Sequence, residues 1–211
     1  MTIKEHAPAT QVRGDLLKAY EGTASSIISD CLDRLPGAVG ILPYHASQTI
    51  VGTAFTIRTR AGDNAAIHHA LDLARAGDVL VIDGAGDVGQ ALIGEIIVHR
   101  AMEIGLAGFA IDGAIRDVDA IRALGLPVYA RAISHRGPYK NGPGVLNKPV
   151  CLGGMVVMPG DLIVGDADGI VAMSPDQAQE ILPAVRAKEE EERQKLAELR
   201  GAIDARRRKA G

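Results

Sequence analysis

The chain has 211 residues, 47% hydrophobic and 23% charged, with a formal net charge of −3; that length suits one domain, and the composition excludes disorder and fibrous repeats. No stretch reaches the roughly 18 unbroken apolar residues of a membrane-spanning helix, and Met1 to His6 lacks the apolar run of a secretory signal. Four Tyr, two Phe, no Trp and a slightly acidic balance provide neither the basic face nor the stacking platforms of a nucleic-acid binder.

Twenty-five glycines predict many tight turns around a core of Val, Ile, Leu and Ala. Cys31 and Cys151 are too few for a disulfide framework and lack metal-ligand spacing, so they are expected to pack as small apolar residues. The expected compartment is the cytoplasm.

Residues 1–22 read as a polar arm with a short helix. Thr23 to Leu35 carries a helical stripe, begun by Thr23 or Ser25 and stopped at Pro36-Gly37. Thr49 to Thr59 alternates as a strand does. Asn64 to Ala76 reads as a helix, Asp78 to Ile82 as a buried strand, Ala91 to Ile104 as a helix and Ala107 to Ile111 as a strand. A short helix over Val118 to Leu124 and a strand over Leu126 to Ile133 follow. This alternation predicts an α/β layer with parallel pairing. Pro149 to Met158, Asp161 to Val164 and Gly169 to Met173 then read as strands without intervening helices. Ser174-Pro175 opens a long helix to about Leu199. Ala76 to Asp83 and Pro159 to Asp166 echo one another, which reuse of one Gly-Asp turn explains.

Ligands collect beyond the carboxyl ends of parallel strands. One such end runs from Asp83 through Gly84, Gly86 and Gly89 toward Gly94-Glu95; another delivers Asp112-Gly113 to Arg116-Asp117. Both offer backbone N–H groups and a positive helix end. Arg116 has the fork that grips a carboxylate, and Asp117 is the kind of ligand Mg²⁺ takes. Equally, Asp117 can cap a helix while Arg116 makes a surface salt bridge. Asp119 reads as helix charge. Glu95 lies in an apolar stretch, where a carboxylate either faces solvent or serves a site. His99 shares its helix face and either pairs with it or is structural.

His68 and His69 diverge too far on a helix to ligate together. His135 and Lys140 lie in the Ser134 to Gly144 loop, whose length suits a lid. Ser134 has no evident base, so a nucleophilic triad is not supported. The glycines do not form a dinucleotide fingerprint. Glu189 to Glu192 form part of a charged helix face.

Together these residues resemble the RraA-like family, in its branch of 4-hydroxy-4-methyl-2-oxoglutarate / 4-carboxy-4-hydroxy-2-oxoadipate aldolases. The resemblance runs from about Ser25 to Ser174. It is carried by Ser29 to Asp33, Val51 to Ala54, Gly77 to Gly84, Ile111 to Asp117, Asn147 to Val150, Gly153-Gly154 and Pro159 to Asp161. Its diagnostic element is an acidic residue, twenty intervening positions and Arg-Asp, which Glu95 and Arg116-Asp117 supply. Several aldolases of this branch have Asp where this chain has Glu95.

The resemblance implies a layered α-β-β-α sandwich of the swivelling β/β/α type, in one domain over 1–211 with a C-terminal helix over 175–205. It implies a class II lyase that cleaves a 4-hydroxy-2-oxo acid to pyruvate and a second oxo acid, with side oxaloacetate decarboxylase activity. Mg²⁺ or Mn²⁺ would be the cofactor, bound directly by Asp117 and through water by Glu95. Arg116 would bind the pyruvyl part, while Gly94 and the amides of Ile96 and Ile97 would hold the substrate carboxylate. A homotrimer or hexamer is implied, with a C-terminal glutamate, taken as Glu192, entering the neighbouring site. The rival within the family is a non-catalytic ribonuclease regulator, which lacks the complete acidic set and the long C-terminal helix. A different 2-oxo acid substrate is the other alternative.

Overall fold

Apolar runs bounded by Gly and Asp form buried strands that alternate with short amphipathic helices. The computed structural model describes residues 2–34, 37–46 and 49–210. Its first half contains β1 (Ile3–Lys4), α1 (Gly14–Ala19), α2 (Ser25–Cys31), β2 (Leu42–Pro43), β3 (Ile50–Thr59), α3 (Ala65–Leu71), β4 (Asp78–Asp83), β5 (Ala91–Ile93) and α4 (Glu95–Ile104). Its second half contains β6 (Gly108–Ile115), α5 (Val118–Leu124), β7 (Val128–Ile133), β8 (Gly144–Leu146), β9 (Val150–Leu152), β10 (Met155–Val157), β11 (Leu162–Gly165), β12 (Ile170–Met173) and α6 (Pro175–Ala210).

The large sheet runs β1-β8-β3-β4-β6-β7-β2, with β5 beside the end of β6 and β11–β12 attached to β3. β3, β4, β6 and β7 are parallel neighbours. The other edge of β3 is shared: β11 pairs with its first half and β8 with its last residues. Phe55, Leu80, Ile82, Phe109 and Ile111 face α3, α4 and α5 across one core. On the opposite face Val79, Val81, Ala110 and Tyr129 meet Val150, Leu152, Met155 and Val157 of the β9–β10 hairpin. Tyr20, Ile28, Leu162, Val164 and Val185 form a third cluster, where α1, α2 and α6 cover β11 and β12. The result is a mixed α/β fold with a long C-terminal helix, as expected, with the β9–β10 hairpin as a second, small sheet packed on the large one.

Several boundaries move. The expected helix over Ala91 to Ile104 is a strand, a glycine and a helix, because Ala91 to Ile93 pair with the end of β6. Pro149 to Met158 is two strands, folded back at Gly153 and Gly154, whose φ angles of 55° and 86° suit glycine. The stripe expected to end at Leu35 stops at Cys31; Leu35 and Pro36 lie outside the described residues. Neither Thr23 nor Ser25 caps this helix. Asp166 does so from another part of the chain, accepting the Ser25 N–H at 2.8 Å and its hydroxyl at 2.7 Å. α3 ends at Leu71, short of Ala76, whereas α6 continues to Ala210.

The two Gly-Asp echoes prove to be one turn used twice. Gly77 and Gly160 take positive φ, and Asp78 and Asp161 accept the amides of Arg75 and Met158, each at 2.8 Å. Among the described residues no helix is long and apolar enough to cross a membrane.

Candidate active site

β6 is buried along its whole length and ends where β5 gives out, with the Arg116 N–H bonded to the Ile93 carbonyl at 3.0 Å. Asp117 follows in the left-handed region, at φ 58° and ψ 38°, and makes no cap bond to its own helix α5. A non-glycine residue there is uncommon, and Asp is among those that tolerate it best. Its carboxylate turns instead to α4, where Oδ2 accepts the Glu95 N–H at 3.1 Å. The positive end of α4 and its free amides thus face a negative charge from another strand end.

Gly94 makes this approach possible: a Cβ there would lie 2.3 Å from Asp117 Oδ2 and 3.0 Å from Arg116 Cγ. Arg116 Nε stands 3.6 Å from Asp117 Oδ2, with both side chains 41% exposed. Glu95 is the first residue of α4, not in the middle of a helix, and reaches solvent. Its Oε1 is 3.6 Å from His99 Nε2. The two amides singled out differ. Ile97 N–H already donates to the Gly94 carbonyl at 3.1 Å, while Ile96 N–H has no partner among the described residues. Ile96 is thus the amide left for a ligand.

A small cleft of about 80 Å³ opens here. Gly94, Ile96, Ile97, Arg116 and Asp117 line one side, and Asn64, His68, Pro138 and Lys140 the other. Asn64, His68 and Pro138 do not stand out in the sequence as site residues. The available signal was Asn64 before a helix with His68 four residues on, which puts both on one face. Asn64 Nδ2 donates to the Leu92 carbonyl at 3.0 Å, which fixes Oδ1 as an acceptor. Asn64 Oδ1 and His68 Nε2 are buried and have no hydrogen-bond partner among the described residues. Burial lowers the His68 pKa, and the charges of Lys140 and Arg100 lower it further. The imidazole in the cleft wall is therefore neutral near pH 7.

The Ser134 to Gly144 loop forms the other wall of the cleft, tied to the strand ends by backbone bonds. Ser134 N–H donates to the Ile115 carbonyl, Ala91 N–H to Arg136, and Tyr139 N–H to Gly62, all at 2.8–2.9 Å. Gly137 packs so closely that a Cβ would stand 3.3 Å from Arg116 Nη1.

Other sequence candidates lie elsewhere. His69 pairs with Glu5, and His135 is exposed. Ser134 Oγ donates to the Gly89 carbonyl at 2.9 Å. Asp119 is fully exposed and lies 3.6 Å from Arg122. Cys31 is half-buried, whereas Cys151, expected to pack inside, is exposed because it lies on the outward face of the hairpin. Glu192 stands on the exposed part of α6 and does not line the cleft.

Among the described residues no three His, Cys, Asp or Glu side chains gather in one place, so no all-protein metal cage is built. Mg²⁺ does not require one, since it takes one or two carboxylates and keeps several waters. Asp117 Oδ1, which accepts no bond within the described chain, and the exposed Glu95 offer hard oxygen donors that fit such an ion.

The RraA-like family model, described as Aldolase/RraA, matches residues 25–172. A relative from Halalkalibacterium halodurans, provisionally named a 4-hydroxy-4-methyl-2-oxoglutarate aldolase, is 37% identical over 85% of this chain and 86% of its own. A crystal structure of an uncharacterized protein from Pseudomonas syringae superposes with a TM-score of 0.82 at 27% identity, covering 92% of this chain and 96% of its own. RraAS2 of Streptomyces coelicolor, described as an unusual member of the RNase ES inhibitor RraA family, gives 0.79 at 26% identity, over 88% and 98%.

Proposed function

Because the chain belongs to the Aldolase/RraA family, we propose that its cleft is the active site of a metal-dependent aldolase. It cleaves 4-hydroxy-4-methyl-2-oxoglutarate or a related 4-hydroxy-2-oxo acid to pyruvate and a second oxo acid, with side decarboxylation of oxaloacetate. The observation that carries this reading is the Asp117 carboxylate, reaching across Gly94 to the α4 amide with Arg116 beside it.

Breaking the C3–C4 bond leaves the electron pair as a pyruvate enolate, while the 4-hydroxyl loses its proton and becomes the carbonyl of the second product. Protonation at C3 completes pyruvate. A bound Mg²⁺ or Mn²⁺ supplies Lewis-acid stabilisation of the enolate charge. Asp117 would hold that ion directly, and Glu95 would hold it through its water. Arg116 grips the pyruvyl oxygens with its planar fork and offsets the developing charge. The Ile96 amide, at the positive end of α4 beside Gly94, receives the substrate carboxylate. Asn64 Oδ1 offers an acceptor to a substrate hydroxyl, and neutral His68 adds no charge beside it.

The working form is a cytoplasmic homotrimer or hexamer in which Glu192 enters a neighbour's site. The test is pyruvate release from 4-hydroxy-4-methyl-2-oxoglutarate and from oxaloacetate, with Mg²⁺ and with excess chelator. Release that disappears with chelator is the expected result. No release from either, by a folded protein, would move the assignment to a binding role. The name of the Streptomyces relative favours that second reading, in which the chain restrains a ribonuclease.

A further inference from the structure

Asp63 lies just outside the cleft, and its side chain is 0% exposed. Its Oδ1 accepts the Ala65 N–H at 2.9 Å, at the start of α3. Its Oδ2 accepts the amides of Asn141 at 2.9 Å and Gly142 at 2.7 Å, together with Arg60 Nη2 at 3.0 Å. Two segments remote in the chain are thus held by the two oxygens of one carboxylate. Each segment carries a cleft residue next to its bonded amide: Asn64 beside Ala65, and Lys140 beside Asn141. Backbone bonds from Tyr139 N–H to Gly62 and from Asn64 N–H to Tyr139, at 2.8 and 3.0 Å, close the same seam. Gly142 fits because a Cβ there would lie 2.8 Å from the Asp63 Cγ.

Burial pushes the Asp63 carboxyl up, and the amides of Ala65, Asn141 and Gly142 with Arg60 outweigh it, so its pKa lies below the ordinary value. An amide cannot take its place. One oxygen of Asn could serve either Ala65 or the loop, and its NH₂ would then oppose the N–H groups on the other side.

We propose that Asp63 is a positioning residue that sets the width of the cleft, holding the Asn64–His68 wall and Lys140 in register without touching the ligand. This role rests on the aldolase reading. In the intact protein, Asp63→Asn should raise KM for 4-hydroxy-4-methyl-2-oxoglutarate by about tenfold and lower kcat less, since it disturbs binding more than bond cleavage. Gly142→Ala keeps the carboxylate and displaces the same seam; it should move KM in the same direction, and it reads the role if Asp63→Asn does not fold. Amide exchange at Asn141 and Gly142 should quicken in both. Asp161→Ala is the control, because it removes the buried acceptor of the Met158 amide at the Gly-Asp turn before β11, away from the cleft, and should cost stability while sparing KM. Folded variants at both 63 and 142 with KM within about twofold of the wild type would overturn the positioning role alone. A wild type that releases no pyruvate overturns the aldolase reading and this role with it.

Discussion

Gly94 has an extended backbone, φ −151° and ψ −168°, which any residue adopts, so the demand for glycine there is steric. Gly94→Ala places a methyl group where Asp117 Oδ2 now lies. A displacement of that size is expected to cost activity on the order of a hundredfold and, because Gly94 is buried, to lower the unfolding temperature as well. Steady-state pyruvate release and a melting curve on one preparation check both halves. Arg116→Lys keeps the charge but loses the fork, and should lose most of the turnover in the same assay. His68 makes a separate prediction. Its folded pKa is lowered, so below about pH 6.5 the unfolded chain binds a proton that the folded chain refuses. Its contribution to stability is complete above that pH and is lost as the pH falls through the window below it. Urea unfolding at pH 7.5 and 5.5 should show a smaller difference for His68→Gln than for the wild type.

Elements with a clear period, such as α3, α5 and the central strands, were legible in the sequence because burial on one or both faces writes the pattern. β5 was not: Ala91 to Ile93 have no period to separate a strand from a helix, and only pairing with β6 decides. β1, β2 and β8 are two or three residues long and exist because distant partners present an edge. The same limit applied to the site. Arg116, Asp117 and Glu95 belong to motifs with fixed spacing, whereas Lys140 lines the same cleft as Asn64 through long-range bonds between two remote segments, from Asp63 and from the backbone. In α6 the sequence showed a charged helix but not where packing stops. Val185 is fully buried and Leu199 is 53% exposed. Val185→Ala should therefore cost about 2 kcal/mol, and Leu199→Ala less than about 0.5 kcal/mol, measured by urea unfolding.

Across the whole molecule, several large apolar side chains stay in water, among them Val39 at 77%, Ile96 at 74% and Val156 at 67% exposure. Sedimentation should give the mass of three or six chains, in keeping with an assembly that brings Glu192 to a neighbour; a monomer at working concentration would remove that residue from the site. The divided edge of β3 has a further consequence, for folding. β3 has its β4 partner available once residue 83 is made, but its opposite edge needs β8 and β11, which ends at Gly165. Such distant pairings form slowly. Until they form, the central strand of a nascent chain carries a bare, largely apolar edge, the feature that recruits other strands. A chain released before Leu162 is expected to aggregate, and one carried through β12 and the first turns of α6, which pair with and cover β11, to stay dispersed, so synthesis itself passes a threshold once β11 is covered.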